Sequence, residues 1–166
     1  MLLSIRPRHA AAIVEGRKTV EVRRRRVAAP PETLVILYAS AAVRAVVGTA
    51  RLARTLTCAA DEVWQSYASS LALERGELAE YLKGAEACLL FLEDVRPLAT
   101  RLSITDLRRQ APFQPPQSYR YLKATDPASL AALAKPAPPQ TTAAGLDVTG
   151  LRSGSLRLVP RPSTSS

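Results

Sequence analysis

The sequence predicts one α+β domain with a closed or nearly closed β-sheet. Its 166 residues fit one compact domain plus a tail. Hydrophobic residues make up 47% of the chain, which is enough for a core, but aromatic residues contribute only 5%. The core should therefore consist mostly of Leu, Val and Ala. The predicted order of elements, in which strands come first, two helices follow and a further strand comes after them, favours α+β.

The first elements follow from apolar runs and the residues that end them. Residues 2–5 form a short apolar run typical of a strand, and Pro7 ends it. Proline suits the first turn of a helix, so we predict a helix over residues 7–15, with Gly16 at its C-terminal end. Residues 19–22 are rich in β-branched side chains that alternate with charge, which predicts a second strand.

Two more strands are predicted in the middle of the chain. Residues 34–38 form a compact apolar run of the buried kind, and residues 45–57 alternate in the manner of a long strand. Gly48, inside the long strand, suits a bulge or a bend.

Helical patterns then precede a last buried strand. We predict that one helix begins near Asp61 and that a second spans residues 74–82. Residues 85–92 predict a strand. Residues 104–109 predict a short helix for which Ser103 supplies the N-cap.

The composition changes near the C-terminal end. From Ala124 onward the chain holds six of the 13 prolines, together with many Ala, Thr and Ser residues. Apart from a brief helix near residues 129–135, such a segment buries too little apolar area to offset its ordering entropy. We therefore predict a domain over residues 1–123 and a largely disordered tail over residues 124–166.

The charge of the chain indicates an anionic partner. Lys and Arg number 23 against 14 Asp and Glu, a formal net charge of +9. Residues 1–30 hold eight Lys or Arg and two Glu, so this segment alone carries a net charge of +6. Such a concentration attracts phosphate groups. A merely solubilising surface would have the same composition, and charge alone does not separate the two.

We expect no metal centre, no cofactor and no membrane association. Cys58 and Cys88 stand apart in sequence, and His9 is the single histidine, a spacing that does not fit zinc. Buried free thiols are the expected state of the cysteines. The N-terminal segment reaches charged residues too early for a signal peptide, and no apolar run is long enough to span a bilayer. The expected location is cytoplasmic.

The most informative stretch is residues 16–24, GRKTVEVRR. A glycine ends the predicted helix, and a strand begins directly after it. On a regular strand, Lys18 and Arg24 would point to one face, and Glu21 and Arg23 to the other. Glu21 and Arg23 are therefore expected to form a pair or to line one cleft.

This stretch and several other blocks resemble the ASCH domain family. The pattern G-x-K-x-x-E-x-R is filled by residues 16–23. The other matching blocks are LLSIRP at residues 2–7, VILYAS at 35–40, VVG at 46–48 and PPQSYRYL at 115–122. The resemblance covers about residues 2–123. It implies a PUA-like β-barrel of about five to six strands flanked by short helices, with a cleft between barrel and helices.

The resemblance also implies functions. The family is associated with RNA binding and with regulation of translation or transcription, and some members are enzymes that cleave RNA or hydrolyse acetylated cytidine. In the latter group the lysine matches Lys18, but the threonine nucleophile matches Glu21, and the glutamate matches Glu77 loosely. Thr19 would have to act as a shifted nucleophile. Glu21 therefore disfavours the amidohydrolase and leaves a ribonuclease open.

We expect Lys18, Glu21 and Arg23, which fill the family pattern, and Arg24, which follows it, to line one wall of the cleft. We expect the segment Ser118, Tyr119 and Arg120 to close the other wall, because aromatic faces and a guanidinium suit single-stranded RNA. The alternative is a turn whose tyrosines pack back onto the barrel. His9 is expected at the surface or at a helix cap, without a catalytic role.

The sequence thus predicts a module that binds RNA or a nucleotide-like ligand. The alternative is an enzyme acting on RNA or modified nucleosides, with Lys18 as the acid or base and Glu21 activating it or a water molecule. A protein-interaction subunit without a nucleic-acid ligand is the third hypothesis.

Overall fold

In the part of the chain that the structure describes, six strands form one curled sheet. The computed structural model describes residues 1–135. The strands are β1 (Leu2–Ile5), β2 (Val20–Arg23), β3 (Thr33–Ala39), β4 (Ala45–Cys58), β5 (Ala87–Ser103) and β6 (Tyr119–Arg120). They lie in the order β2-β5-β4-β3-β1-β6, and β1 with β3 is the parallel pair among antiparallel neighbours. The sheet curls into a half-barrel flanked by short helices, which confirms the predicted fold class.

Five helices flank the sheet within residues 1–135. They are α1 (Pro7–Val14), α2 (Ala60–Leu71), α3 (Arg75–Leu82), α4 (Ile104–Gln110) and α5 (Ala128–Leu133). The Ser103 side chain accepts a hydrogen bond from the backbone N–H of Asp106 at 3.1 Å, so the predicted N-cap of α4 is confirmed. None of these helices has the length and apolar character needed to cross a membrane.

Within the described residues, the core consists of three apolar clusters. The first lies where α1 packs on the sheet and includes Leu3, Ile13 and Leu37. The second lies beneath α2 and α3, and the third lies beside α4 and α5. In the third, the rings of Tyr38 and Phe113 meet edge to face with centroids 6.3 Å apart.

Two stretches of strand, the second half of β5 and all of β6, were not predicted from the sequence pattern. β5 continues to Ser103, well beyond the predicted end at residue 92, and its second half is mostly exposed. That half is polar and contains Pro97, so it carries little strand pattern, and it pairs with β4 through several register shifts. β6 was not predicted as a strand because it is only two residues long.

Packing also continues past residue 123, the predicted end of the domain. Asp126 accepts two hydrogen bonds of 2.6 Å from Arg120, and Leu130 of α5 is fully buried in the third cluster. The folded part of the chain therefore includes residues that the prediction assigned to the tail. Residues 136–166 of that predicted tail lie outside the described residues.

Gly48 lies at a register shift between β4 and β5, as predicted for a bulge. A Cβ atom here would lie 2.9 Å from the Arg96 carbonyl oxygen and 3.1 Å from Cγ1 of Val14. Because a backbone atom would have to move, we expect Gly48→Ala to lower the free energy of unfolding by about 1–3 kcal/mol in chemical denaturation. Gly76→Ala is the matched control, since a Cβ there meets nothing within 4 Å. Equal stability of the two variants would contradict the prediction.

Candidate functional site

A cleft of about 690 Å³ opens beside α1, α3 and the adjoining ends of β1 and β2. Its charged lining is mostly cationic. The lining cations are Arg6, Arg8, Lys18, Arg23, Arg24 and Lys83, and the lining carboxylates are Glu21, Glu77 and Glu80. A cavity of this size with an excess of positive charge suits an anionic ligand.

The turn after α1 places Lys18 at the base of the cleft. Gly16 has a φ of 76°, which favours glycine, and the backbone N–H groups of Arg17 and Lys18 both donate to the Ala12 carbonyl oxygen. β2 begins only at Val20, so Lys18 does not follow the alternation of that strand. Its side chain lies beside Glu21 rather than on the opposite face as predicted, and it is 1% exposed.

The Lys18 ammonium is held by two partners. Nζ donates to the carbonyl oxygen of Leu71 at 2.7 Å and lies 3.4 Å from Oε2 of Glu21. Leu71 is the last residue of α2, where helix carbonyls lack intrahelical partners and carry partial negative charge. Burial lowers the pKa of Lys18, whereas the carboxylate of Glu21 opposes that shift.

Glu21 joins two cations. Glu21 and Arg23 share one face of β2, as the alternation predicted, and Oε1 of Glu21 lies 3.1 Å from Nε of Arg23. Arg23 also donates through Nη2 to the carbonyl oxygen of Ser4 at 2.7 Å. Lys18, Glu21 and Arg23 therefore form a continuous buried charge cluster along the base of the cleft.

His9 was expected at the surface or at a helix cap, whereas it is half-buried and lines the same cleft. Burial lowers the pKa of His9, and the positive charges of Lys18 and Arg8 lower it further against the carboxylates of Glu21 and Glu77. The surroundings of His9 therefore favour the neutral form of its imidazole. One sequence signal was the position of His9 in the first turn of a helix that directly follows β1.

Two of the residues predicted for the second wall form hydrogen bonds with residues outside the cleft lining. Arg120 forms its two 2.6 Å hydrogen bonds with Asp126, and the Tyr119 hydroxyl accepts one from the backbone N–H of Ala28 at 3.2 Å. Neither side chain lines the cleft. The alternative from the sequence, in which this segment packs onto the barrel, describes these contacts.

Ser118 also lies outside the cleft lining. Its backbone carbonyl joins this segment to β1. It accepts a hydrogen bond from the backbone N–H of Ser4 at 2.8 Å. The segment reaches the cleft through the residues just before it, Pro116 and Gln117. Arg24, by contrast, lines the cleft as expected.

The two residues considered for amidohydrolase chemistry differ in position. Glu77 lines the cleft and forms a 2.5 Å ion pair with Arg8. Its hydrogen bond with the Glu74 backbone and this pair lower the Glu77 pKa. Thr19 is exposed and is not part of the cleft lining. Within residues 1–135 no cluster of three or more His, Cys, Asp or Glu side chains is arranged to hold a metal ion.

A smaller cavity of about 280 Å³ adjoins the cleft. The two cavities share Ser4, Ser40 and Pro116 in their linings. The smaller cavity adds the guanidinium groups of Arg44 and Arg108, so positive charge continues beyond the cleft.

Comparisons with known proteins agree with this fold. The family model of a domain of unknown function, DUF365, matches residues 4–108. The chain is 31% identical over 134 residues to the ASCH domain-containing ribonuclease of Zymomonas mobilis, an alignment that covers 80% of this chain and 90% of the relative. The crystal structure of ASCH from Zymomonas mobilis superimposes with a TM-score of 0.72 at 30% identity, covering 80% of this chain and 93% of that one. A point mutant of that protein gives the same TM-score and identity over 80% and 96% of the two chains. The chain described here belongs to the ASCH domain family.

Proposed function

We propose that this protein is a ribonuclease that binds single-stranded RNA in the cleft and cleaves it through the substrate's own 2′-hydroxyl. The observation that carries the proposal is the position of the His9 imidazole in a cationic cleft whose lining also includes the charge cluster of Lys18, Glu21 and Arg23. The 31% identical relative that bears the name ribonuclease supports it.

Binding would come first from the exposed arginines. Arg6, Arg8 and Arg24 line the cleft and are exposed at its rim, where they can neutralise phosphates and release counterions. Single-stranded RNA fits such an open cleft better than a duplex, because its unstacked bases can enter beside the backbone. We propose a cytoplasmic location for the protein, as expected from the sequence, because RNA is available there.

The reaction needs a base, and His9 is placed to be one. The neutral imidazole takes the proton of the 2′-hydroxyl, and the resulting oxygen attacks the adjacent phosphorus. A bond forms between O2′ and phosphorus while the bond between phosphorus and O5′ breaks. The leaving O5′ takes a proton from water, and the hydroxide that remains takes the proton from the imidazolium of His9, which restores the neutral base. The products are a 2′,3′-cyclic phosphate end and a 5′-hydroxyl end.

Lys18 and Glu21 contribute through electrostatic interactions and not through proton transfer. Lys18 is 1% exposed and already donates to Leu71, so we assign its ammonium to stabilising the negative charge that builds up on the phosphate oxygens. Glu21 is a positioning residue, because it holds Lys18 and Arg23 on either side of its carboxylate.

A second candidate is RNA binding without cleavage. It is favoured by the same cluster, because Lys18 and Glu21 neutralise each other within the protein. An amidohydrolase of acylated nucleosides receives no such support, since Thr19 lies outside the cleft lining.

The test uses one labelled oligoribonucleotide and a copy with a single 2′-deoxy position. We expect the wild-type protein to cleave the first in the presence of EDTA and to leave cyclic-phosphate and 5′-hydroxyl ends. The 2′-deoxy substitution should block cleavage at that position alone. Cleavage that leaves 5′-phosphate ends would refute the mechanism, and binding that weakens steeply with salt but yields no products would establish the second candidate.

A further inference from the structure

We infer that Ser4 and Arg23 form a binding subsite for the phosphate of an internal phosphodiester, at the boundary between the cleft and the smaller cavity. The inference deepens the proposed function, on which it rests for the identity of the ligand as RNA. The position of the phosphate follows from the structure alone.

The first observation concerns unpaired polar atoms. Among the described residues, three buried side-chain atoms have no hydrogen-bond partner, namely Ser4 Oγ, Arg23 Nε and Ser129 Oγ. Ser4 and Arg23 both line the cleft. Buried polar groups without a partner are rare because leaving a donor unpaired away from water is costly. Two such donors in one cleft indicate that a ligand completes them.

The second observation is that the two donors are held next to each other. Arg23 donates through Nη2 to the Ser4 carbonyl oxygen at 2.7 Å, so its guanidinium is fixed against β1. Ser4 itself is only 7% exposed, and its backbone N–H donates to Ser118. Nε of Arg23 forms an ion pair with Oε1 of Glu21 at 3.1 Å whose geometry is not that of a hydrogen bond, so its N–H is not directed at the carboxylate.

The chemistry of these groups selects an anionic oxygen. A hydroxyl and a guanidinium N–H both donate, and the guanidinium adds a permanent positive charge suited to phosphate. α1 begins at Pro7, directly after β1, so the positive end of its dipole adds to the field. Arg6 and Arg8 lie in the same lining. These groups fit a phosphate group better than a neutral ligand.

The position of Ser4 indicates which phosphate binds. Ser4 lines both the cavity of about 690 Å³ and the cavity of about 280 Å³. A phosphate bound to its hydroxyl has space for a substituent on each side. An internal phosphodiester carries a nucleoside on each side, whereas a terminal phosphate carries only one. The subsite therefore fits a strand that passes from one cavity into the other.

The test compares Ser4→Ala with wild type by isothermal titration calorimetry. The two probes are a dinucleoside monophosphate with a 2′-deoxy 5′-nucleoside, which cannot be cleaved, and inorganic phosphate. We expect wild type to bind the dinucleotide more tightly than inorganic phosphate, and Ser4→Ala to weaken both by on the order of tenfold. Arg23→Lys, which keeps the charge but loses Nε, should weaken the dinucleotide similarly.

Ser129→Ala is the matched control. It removes the third unpaired hydroxyl, which lies in α5 outside the cleft lining, and should leave both affinities unchanged. Ser4→Ala removes no hydrogen bond of the protein, so its thermal midpoint should not fall below that of wild type. Unchanged dinucleotide affinity in Ser4→Ala, or an equal loss in Ser129→Ala, would overturn the subsite.

The outcomes also separate the subsite from the ribonuclease. If wild type cleaves RNA and Ser4→Ala binds the dinucleotide as wild type does, the subsite fails and the ribonuclease stands. If the dinucleotide binds through Ser4 but no RNA is cleaved, the subsite stands and the ribonuclease fails. Equal affinity of wild type for inorganic phosphate and the dinucleotide would overturn the choice of an internal phosphodiester.

Discussion

Replacement of Glu21 with alanine is expected to lower the free energy of unfolding by about 3–5 kcal/mol, because it leaves two cations buried without their shared carboxylate. Lys18 is 1% exposed and lies 3.4 Å from Glu21, and Arg23 lies 3.1 Å away on the other side. Removing one partner of a buried pair exposes the full desolvation cost of the other charge. Urea denaturation of the variant and wild type measures the difference.

An exposed ion pair supplies the control for this prediction. Glu15 pairs with Arg17 at the surface, where both side chains are more than half exposed. Glu15→Ala should therefore change the free energy of unfolding by no more than about 1 kcal/mol. If Glu21→Ala costs no more than Glu15→Ala, the cluster contributes nothing to stability.

The double variant Lys18→Met, Glu21→Leu separates stability from function. Replacing a buried ion pair with apolar side chains is often neutral or stabilising, so the part of the lost stability that comes from unpaired Lys18 should return, whereas Arg23 still lacks its carboxylate. RNA cleavage should not return, because the variant lacks the ammonium that we propose stabilises the phosphate oxygens. A stable double variant with wild-type activity would show that the charge cluster is purely structural.

The sequence predicted the part of this site that depends on strand alternation. Glu21 and Arg23 face the same way because they are two residues apart within β2, and this required no knowledge of the tertiary fold. Lys18 is different, since β2 begins two residues after it and the turn at Gly16 sets its direction. A periodic pattern has no information about a residue just outside the regular element.

The errors elsewhere have a related cause. Tyr119 and Arg120 were predicted to meet RNA from their chemistry, but Arg120 instead pairs with Asp126, a residue that the composition assigned to the tail. His9 has no charged neighbour in the helix except Arg8, and the other charged groups near it come from the turn before β2, from β2 and from α3. The partner of Arg120 and the surroundings of His9 both depend on contacts between segments that are distant in sequence. Local sequence patterns do not encode such contacts.

His9→Ala is expected to lower the rate of RNA cleavage by about 10²–10⁴-fold, the usual contribution of a general base. Binding of an uncleavable oligonucleotide should change little, because the arginines at the rim remain. Added imidazole should restore part of the rate of His9→Ala by entering the space that the side chain left. Wild-type turnover by His9→Ala would exclude His9 as the base.

The pH dependence gives a more specific test. The active form of a base is the neutral one. The rate of cleavage should therefore reach its plateau above the pKa of His9 and should fall as the pH drops through that pKa. Burial, Lys18 and Arg8 place that pKa below the ordinary value of 6.5, against the opposing carboxylates of Glu21 and Glu77. The acid limb of the rate profile should therefore lie below pH 6.5.

Two variants should move this acid limb in opposite directions. Arg8→Gln removes a positive charge near the imidazole and should shift the limb to higher pH, whereas Glu77→Gln removes a negative charge and should shift it to lower pH. Both variants break the same ion pair between Arg8 and Glu77, so loss of that pair cannot account for shifts of opposite sign. A limb that stays in place in both variants would mean that a group other than His9 takes the proton.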